Sequence, residues 1–102
     1  MPTPTDATTR TRILVVEDEG IVARDICDQL KVQGYEPVGD TASGEQAVEL
    51  TATLRPDLIL MDINLAGEMD GITAARLIRE RFMVPVVFLT AYSGNDTLAR
   101  AK

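Results

Sequence analysis

Short apolar runs alternate with segments of helical period along this chain, and that alternation limits the fold more than any other feature. Arg12-Ile13-Leu14-Val15-Val16, Leu58-Ile59-Leu60-Met61 and Val84-Pro85-Val86-Val87-Phe88-Leu89 are short and almost wholly apolar, and the first is rich in β-branched residues. Runs of this length, bounded by polar or turn residues, read as strands buried on both faces. The proline of the last run sits near its start, where a strand tolerates it. Tyr35-Glu36-Pro37-Val38-Gly39 is a weaker strand. Its internal proline removes a ladder donor, so it belongs at a sheet edge.

The intervening segments carry helical signals. Gly20 to Gln33 places Ile21, Val22, Ile26 and Leu30 at helical spacing, and Gly34 supplies the stop. Ser43 and Gln46 fit a capping box ahead of Ala47, Val48, Leu50 and Leu54, in a helix that must end before Pro56. Asp70 is the expected N-cap of a helix that turns Ile72, Ala75, Leu77 and Ile78 inward. Arg76, Arg79 and Arg81 face outward or complement its C-terminal end. Ser93-Gly94-Asn95-Asp96 offers further caps, and Thr97 to Lys102 begins a fourth helix. The order β-α-β-α-β-α-β-α implies an α/β fold, with a parallel sheet and helices on both faces. Residues 1–11 are rich in Pro, Thr and Asp without apolar periodicity and read as a disordered lead-in, so the domain is expected to start at residue 12.

Composition removes several function classes. The 102 residues suffice for one domain, and a net charge of −6 argues against a nucleic-acid surface on this segment. Cys27 is the single cysteine, so no intrachain disulfide forms; it reads as a small buried apolar residue. No stretch approaches the roughly 20 apolar residues of a membrane span, and no signal-peptide core opens the chain. A cytoplasmic location is therefore expected. Histidine is absent. This chain alone thus performs no Ser-His catalysis, builds no imidazole zinc site and carries no phosphohistidine; any phosphohistidine comes from a partner.

What remains lies at the strand exits. The first strand runs into Glu17-Asp18-Glu19, the third into Asp62, and the last into Thr90. Local structure accounts for part of this: Asp18 can cap the following helix and Glu19 can complement its dipole. Neither explains Glu17. Ligands of open parallel sheets bind outside the carboxyl ends of the strands. If the first and third strands are neighbours, Glu17, Asp18 and Asp62 converge in one crevice. Crowded carboxylates raise one another's pKa or recruit a cation, and an oxygen-only donor set suits Mg²⁺. Mg²⁺ keeps positions open for a phosphate, so the arrangement suits phosphoryl chemistry. Asp62 would be the attacking carboxylate, and Thr90 would donate a hydrogen bond to a phosphoryl oxygen.

Val15-Val16-Glu17-Asp18-Glu19, Leu58-Ile59-Leu60-Met61-Asp62, Met69-Asp70-Gly71 and Phe88-Leu89-Thr90-Ala91 together resemble the receiver domain of two-component response regulators, over roughly residues 12 to 102. The resemblance implies a flavodoxin-like, doubly wound parallel sheet, here with four strands in the order 2-1-3-4. It implies that Asp62 is the phosphoacceptor and that Glu17 and Asp18 hold Mg²⁺, with the backbone carbonyl of Asn64 as a further ligand. Thr90 becomes the switch hydroxyl and Ala91 the small residue that leaves it room. The implied donor is a histidine kinase or a phosphotransfer protein, and the chain is a signalling phosphoacceptor rather than an enzyme.

The loop after Asp62 lacks the proline common in the family and is one residue longer than its commonest form, which leaves the chemistry intact. The family's fifth strand and helix are missing from these 102 residues, and with them the lysine that pairs with the phosphoryl group; Lys102 is on the wrong element to replace it. A fragment of a longer protein is the expectation, with the fourth strand as an exposed edge open to pairing with a second copy. The alternative function is therefore a non-switching interaction or structural domain. An aspartate-nucleophile phosphatase would want an aspartate where Asn64 stands. A flavin protein would want a phosphate-cradling loop where the acids Glu17 to Glu19 stand. Kinase, signal and output domain are not legible.

Overall fold

The computed structural model describes residues 10–65 and 67–89. Over these the chain forms β1 (Arg12–Val16), α1 (Gly20–Val32), β2 (Glu36–Thr41), α2 (Gly44–Leu54), β3 (Leu58–Asp62), α3 (Gly71–Phe82) and β4 (Val86–Leu89). The strands make one parallel sheet in the order β2-β1-β3-β4, as expected. The apolar runs Ile13–Val16 and Leu58–Met61 occupy its two central strands because only there are both faces covered.

Each central run is split by the period of the strand. Leu14 and Val16 join Ile59 and Met61 on one face, packed against Ala47 and Val48 of α2 and Ala74 and Ile78 of α3. Ile13 and Val15 join Leu58 and Leu60 on the other, against Ala23, Ile26, Cys27 and Leu30 of α1. The two faces are covered unequally: Ile59 and Met61 are fully buried, while Leu58 and Leu60 are only partly so.

β2 lies at the edge, as its proline requires. It runs through Asp40 and Thr41 rather than stopping at Gly39. The register of β1 against β2 shifts between Ile13 and Leu14, beside Pro37, which has no N–H to give. β4 begins only after Pro85, whose carbonyl still accepts from the Ile59 N–H at 3.0 Å.

Helix ends follow local chemistry. Ser43 Oγ accepts from the Gln46 N–H at 3.1 Å, and Asp70 Oδ1 from the Thr73 N–H at 2.8 Å, the caps expected for α2 and α3. The Gln46 side chain instead takes the Thr41 hydroxyl, tying α2 to the end of β2. α1 differs from expectation: its N-cap is Glu19, without a side-chain cap bond, and not Asp18. The inward assignment of Ile72 also fails, and Ile21, though at helical spacing with the apolar face, is not buried. Ile21 is 87% and Ile72 56% exposed, while Ala23 and Ala74 are buried. The buried faces of these helices are made largely of small residues, Ala23 in α1 and Gly71, Ala74 and Ala75 in α3. Residues 1–9 and the helix expected from Thr97 lie outside the described residues.

Candidate functional site

Register builds the site. Val16 pairs with Met61 across β1 and β3, so the next residues, Glu17 and Asp62, emerge side by side at the carboxyl end of the sheet. The Glu17 N–H is held by the Thr41 carbonyl of β2 at 2.9 Å, which keeps β1 extended until the acid is delivered. Among the described residues, Glu17, Asp18 and Asp62 each offer a carboxylate oxygen, and these oxygens lie within 4.8 Å of one another. The three acids drawn together from sequence are therefore together in space. The alternative reading of Asp18 as a helix cap falls away, because Glu19 holds that position.

The acids are not equivalent. Glu17 is buried, Asp62 half-buried and Asp18 exposed. Burial pushes the Glu17 carboxyl up from its ordinary 4.5 to about 7, and the Asp62 charge adds to the rise. Contacts with the Asp18 and Asp62 side chains favour its protonated form further. The Glu19 N–H, 3.2 Å from Glu17 Oε2, pulls the other way without cancelling the rise. A buried acid facing two other acids thus keeps its proton to near neutrality unless a cation takes its place. Three oxygen donors without nitrogen or sulfur fit a hard divalent ion such as Mg²⁺.

Asp62 is oriented from its own loop. The Asn64 N–H donates to Asp62 Oδ1 at 3.2 Å, leaving the second carboxylate oxygen for chemistry. Asn64, proposed through its carbonyl, is thus tied to the site through its amide.

Two contributions escaped the sequence reading. The Gly71 N–H donates to the Ile63 carbonyl at 3.0 Å, and any Cβ at Gly71 would overlap the Asp62 carbonyl oxygen and come within 2.9 Å of Ile63 Cα. The first residue of α3 therefore rests on the backbone that carries Asp62. The glycine of Met69-Asp70-Gly71 was visible as a motif, but backbone contact gives no periodic signal. The second is the unequal burial of the acids, which composition cannot show.

Thr90 and Ala91 lie outside the described residues. Met61 is buried in the core and the half-buried Met69 packs against it, the packing roles expected of them. Cys27 sits half-buried on α1, its thiol pushed up chiefly by burial and then by Asp40, which suits a packing role. Glu68, Arg76, Arg79 and Arg81 are exposed, as expected.

Comparison with known proteins places this geometry. Residues 13–102 match the model of the response regulator receiver domain. The transcriptional regulatory protein PdtaR of Mycobacterium tuberculosis is 40% identical over 100 residues, covering 98% of this chain and 48% of PdtaR. The chain thus spans about half the length of that relative. The signal receiver domain of a diguanylate cyclase from Desulfovibrio desulfuricans superposes with a TM-score of 0.78 at 35% identity, over 89% of this chain and 73% of that one. The anti-anti-sigma factor PhyR of Bartonella quintana, in complex with the anti-sigma factor NepR, gives 0.76 at 33% identity, over 85% of this chain and 36% of PhyR. Matched along nearly its whole length, and with the parallel sheet order of the fold, the chain belongs to the response regulator receiver-domain family.

Proposed function

We propose that this receiver accepts a phosphoryl group on Asp62 from the phosphohistidine of a histidine kinase or phosphotransfer protein, and thereby changes its affinity for a partner. The observation that carries the reading is the meeting of Glu17, Asp18 and Asp62 at the exits of β1 and β3, within 4.8 Å. In the transfer, an Asp62 carboxylate oxygen forms a bond to phosphorus as the phosphorus–nitrogen bond of the donor breaks. The products are an acyl phosphate on Asp62 and a free imidazole on the partner. The Asn64 N–H holds one Asp62 oxygen and so directs the other outward. Glu17 gives up its proton when it acts as a ligand. Mg²⁺ held by Glu17, Asp18, Asp62 and the Asn64 carbonyl would supply positive charge against the phosphoryl oxygens. Thr90 is proposed as the switch hydroxyl, with Ala91 beside it.

The reading describes a signalling module whose chemistry is confined to its own phosphorylation and dephosphorylation. Its output is a protein contact, and the NepR complex of PhyR supports that class of partner. The proposed setting is the cytoplasm; among the described residues no helix is long and apolar enough to cross a membrane.

A second reading has one observation in its favour. β4 ends the sheet of the described residues, and its Val87 is 47% exposed. A domain that does not switch, and pairs with a second copy along β4, would use that edge. Acetyl phosphate, with and without Mg²⁺, separates the two. A Mg²⁺-dependent adduct seen by intact mass spectrometry, absent in Asp62→Asn, supports phosphoacceptance. A chain that stays unmodified and elutes as a dimer supports the second.

A further inference from the structure

At the end of the sheet opposite Asp62, where β3 and β4 begin, a cleft of about 510 Å³ opens between the C-terminal ends of α2 and α3. It is lined by Thr51, Arg55, Pro56, Arg81, Phe82 and Val84. Two arginines are among its lining residues and no acid is, on a chain whose net charge is −6. The Thr51 hydroxyl is already spent on the Ala47 carbonyl at 2.7 Å, which leaves the arginines as the cleft's side-chain donors among the described residues. Pro56, Phe82 and Val84 give it an apolar lining.

Arg81 alone would be unremarkable, since a basic residue in the last turn complements the helix dipole. Arg55 is different. It caps α2 in the left-handed region, with φ 52°, where glycine would sit without strain. Its carbonyl accepts from Arg12 Nη1 at 2.9 Å, a bond that any residue's backbone could accept. The arginine side chain thus occupies a position where helix termination favours having no side chain at all.

We propose that this cleft binds an acidic linear segment of a partner protein, one that sets a carboxylate beside an apolar side chain. The carboxylates engage Arg55 and Arg81, whose planar forks suit bidentate pairing, and the apolar side chain covers Phe82 and Val84. The cleft favours a peptide over an enclosed small molecule because Arg55 and Arg81 are exposed and Phe82 and Val84 only half-buried. A ligand there remains open to solvent along one side.

The test titrates the full ¹⁵N-labelled chain with an acetylated hexapeptide carrying a pair of acids on each side of a Leu-Phe pair, followed by amide chemical shifts. Saturable shifts at Thr51, Arg55, Arg81, Phe82 and Val84, with Asp62 unmoved, are expected. Arg55→Gly should melt no lower than the parent, because glycine accepts the left-handed cap, yet should weaken the peptide by about tenfold, as loss of a hydrogen bond to a charged group does. Arg81→Ala should weaken it similarly, and carries the test if Arg55→Gly melts lower. The proposal is overturned if no saturable shifts occur, if the Asn/Gln version of the peptide binds equally, or if folded variants bind undiminished. It is also overturned if inorganic phosphate at the same concentration reproduces the shifts, since the site would then recognise a bare anion.

Discussion

Glu17 meets proton and metal in competition, and the sign of each effect follows from its raised pKa of about 7. In the metal-free chain, a carboxyl that binds its proton more tightly when folded stabilises the fold fully below its ordinary 4.5; that contribution is lost as pH rises through about 7. Urea midpoints without metal should therefore fall between about pH 5 and about pH 8 by more in the parent than in Glu17→Gln, which has no such proton to lose. Metal binding runs the other way. Each Mg²⁺ ligated by Glu17 displaces the proton, so apparent Mg²⁺ affinity should rise with pH through about 7 and then level off. Calorimetric titrations across that range check it; an affinity flat in pH would mean that Glu17 stays outside the ligand set. The sequence made the identities of Glu17, Asp18 and Asp62 legible, because each follows an apolar run and strand ends are where α/β sheets do chemistry. Their inequality was not legible. Burial of Glu17 is set by the fold around the end of β1, where the Glu17 N–H meets the Thr41 carbonyl of β2, 24 residues away in the chain.

At the level of elements, the site depends on how α3 is seated against β3. Gly71 touches the Asp62 and Ile63 backbone so closely that an added methyl must push the helix start or the Asp62 loop aside. Gly71→Ala should cost about 1–3 kcal/mol in urea denaturation, the range of overpacking in a tight contact. It should also slow acetyl phosphate labelling of Asp62. Normal labelling would uncouple the helix from the site. By contrast α2 is seated by a local bond, Ser43 Oγ to the Gln46 N–H, and Ser43→Ala should cost about 1 kcal/mol, with Ser43→Gly costing only a few tenths. Capping of this kind was readable directly, because the cap and the N–H that donates to it lie within four residues. Helix faces were less so. Periodicity counts large apolar side chains: it set Ile21 in the apolar pattern of α1 and turned Ile72 inward, while Ala23 and Ala74 are the residues buried. A helix close to a sheet selects small residues at the contact, and small residues carry little weight in an apolar pattern.

For the whole molecule, alternation of strand and helix was enough to indicate a parallel sheet, whereas the order β2-β1-β3-β4 entered through family resemblance; nothing in one sequence counts which strand neighbours which. Continuous apolar runs also concealed how unlike the two faces of the sheet are. Along β3, Ile59 is fully buried under α2 and α3, while the next residue, Leu60, faces the α1 side and is only partly covered. The free energy of burying a side chain scales with the apolar surface removed from water, and a cavity is left only where neighbours close around the deleted atoms. Ile59→Ala should therefore cost about 2–5 kcal/mol, and Leu60→Ala distinctly less, though both delete similar volume from adjacent positions of one strand. Denaturant titrations with matched m-values decide it. Equal losses would mean that the α1 face is as tightly covered as the other in solution, and the natural cover would then be residues beyond β4 or a second copy along its edge. Repeating the Leu60→Ala measurement over a range of protein concentrations distinguishes these two, because only stabilisation by a second copy rises with concentration.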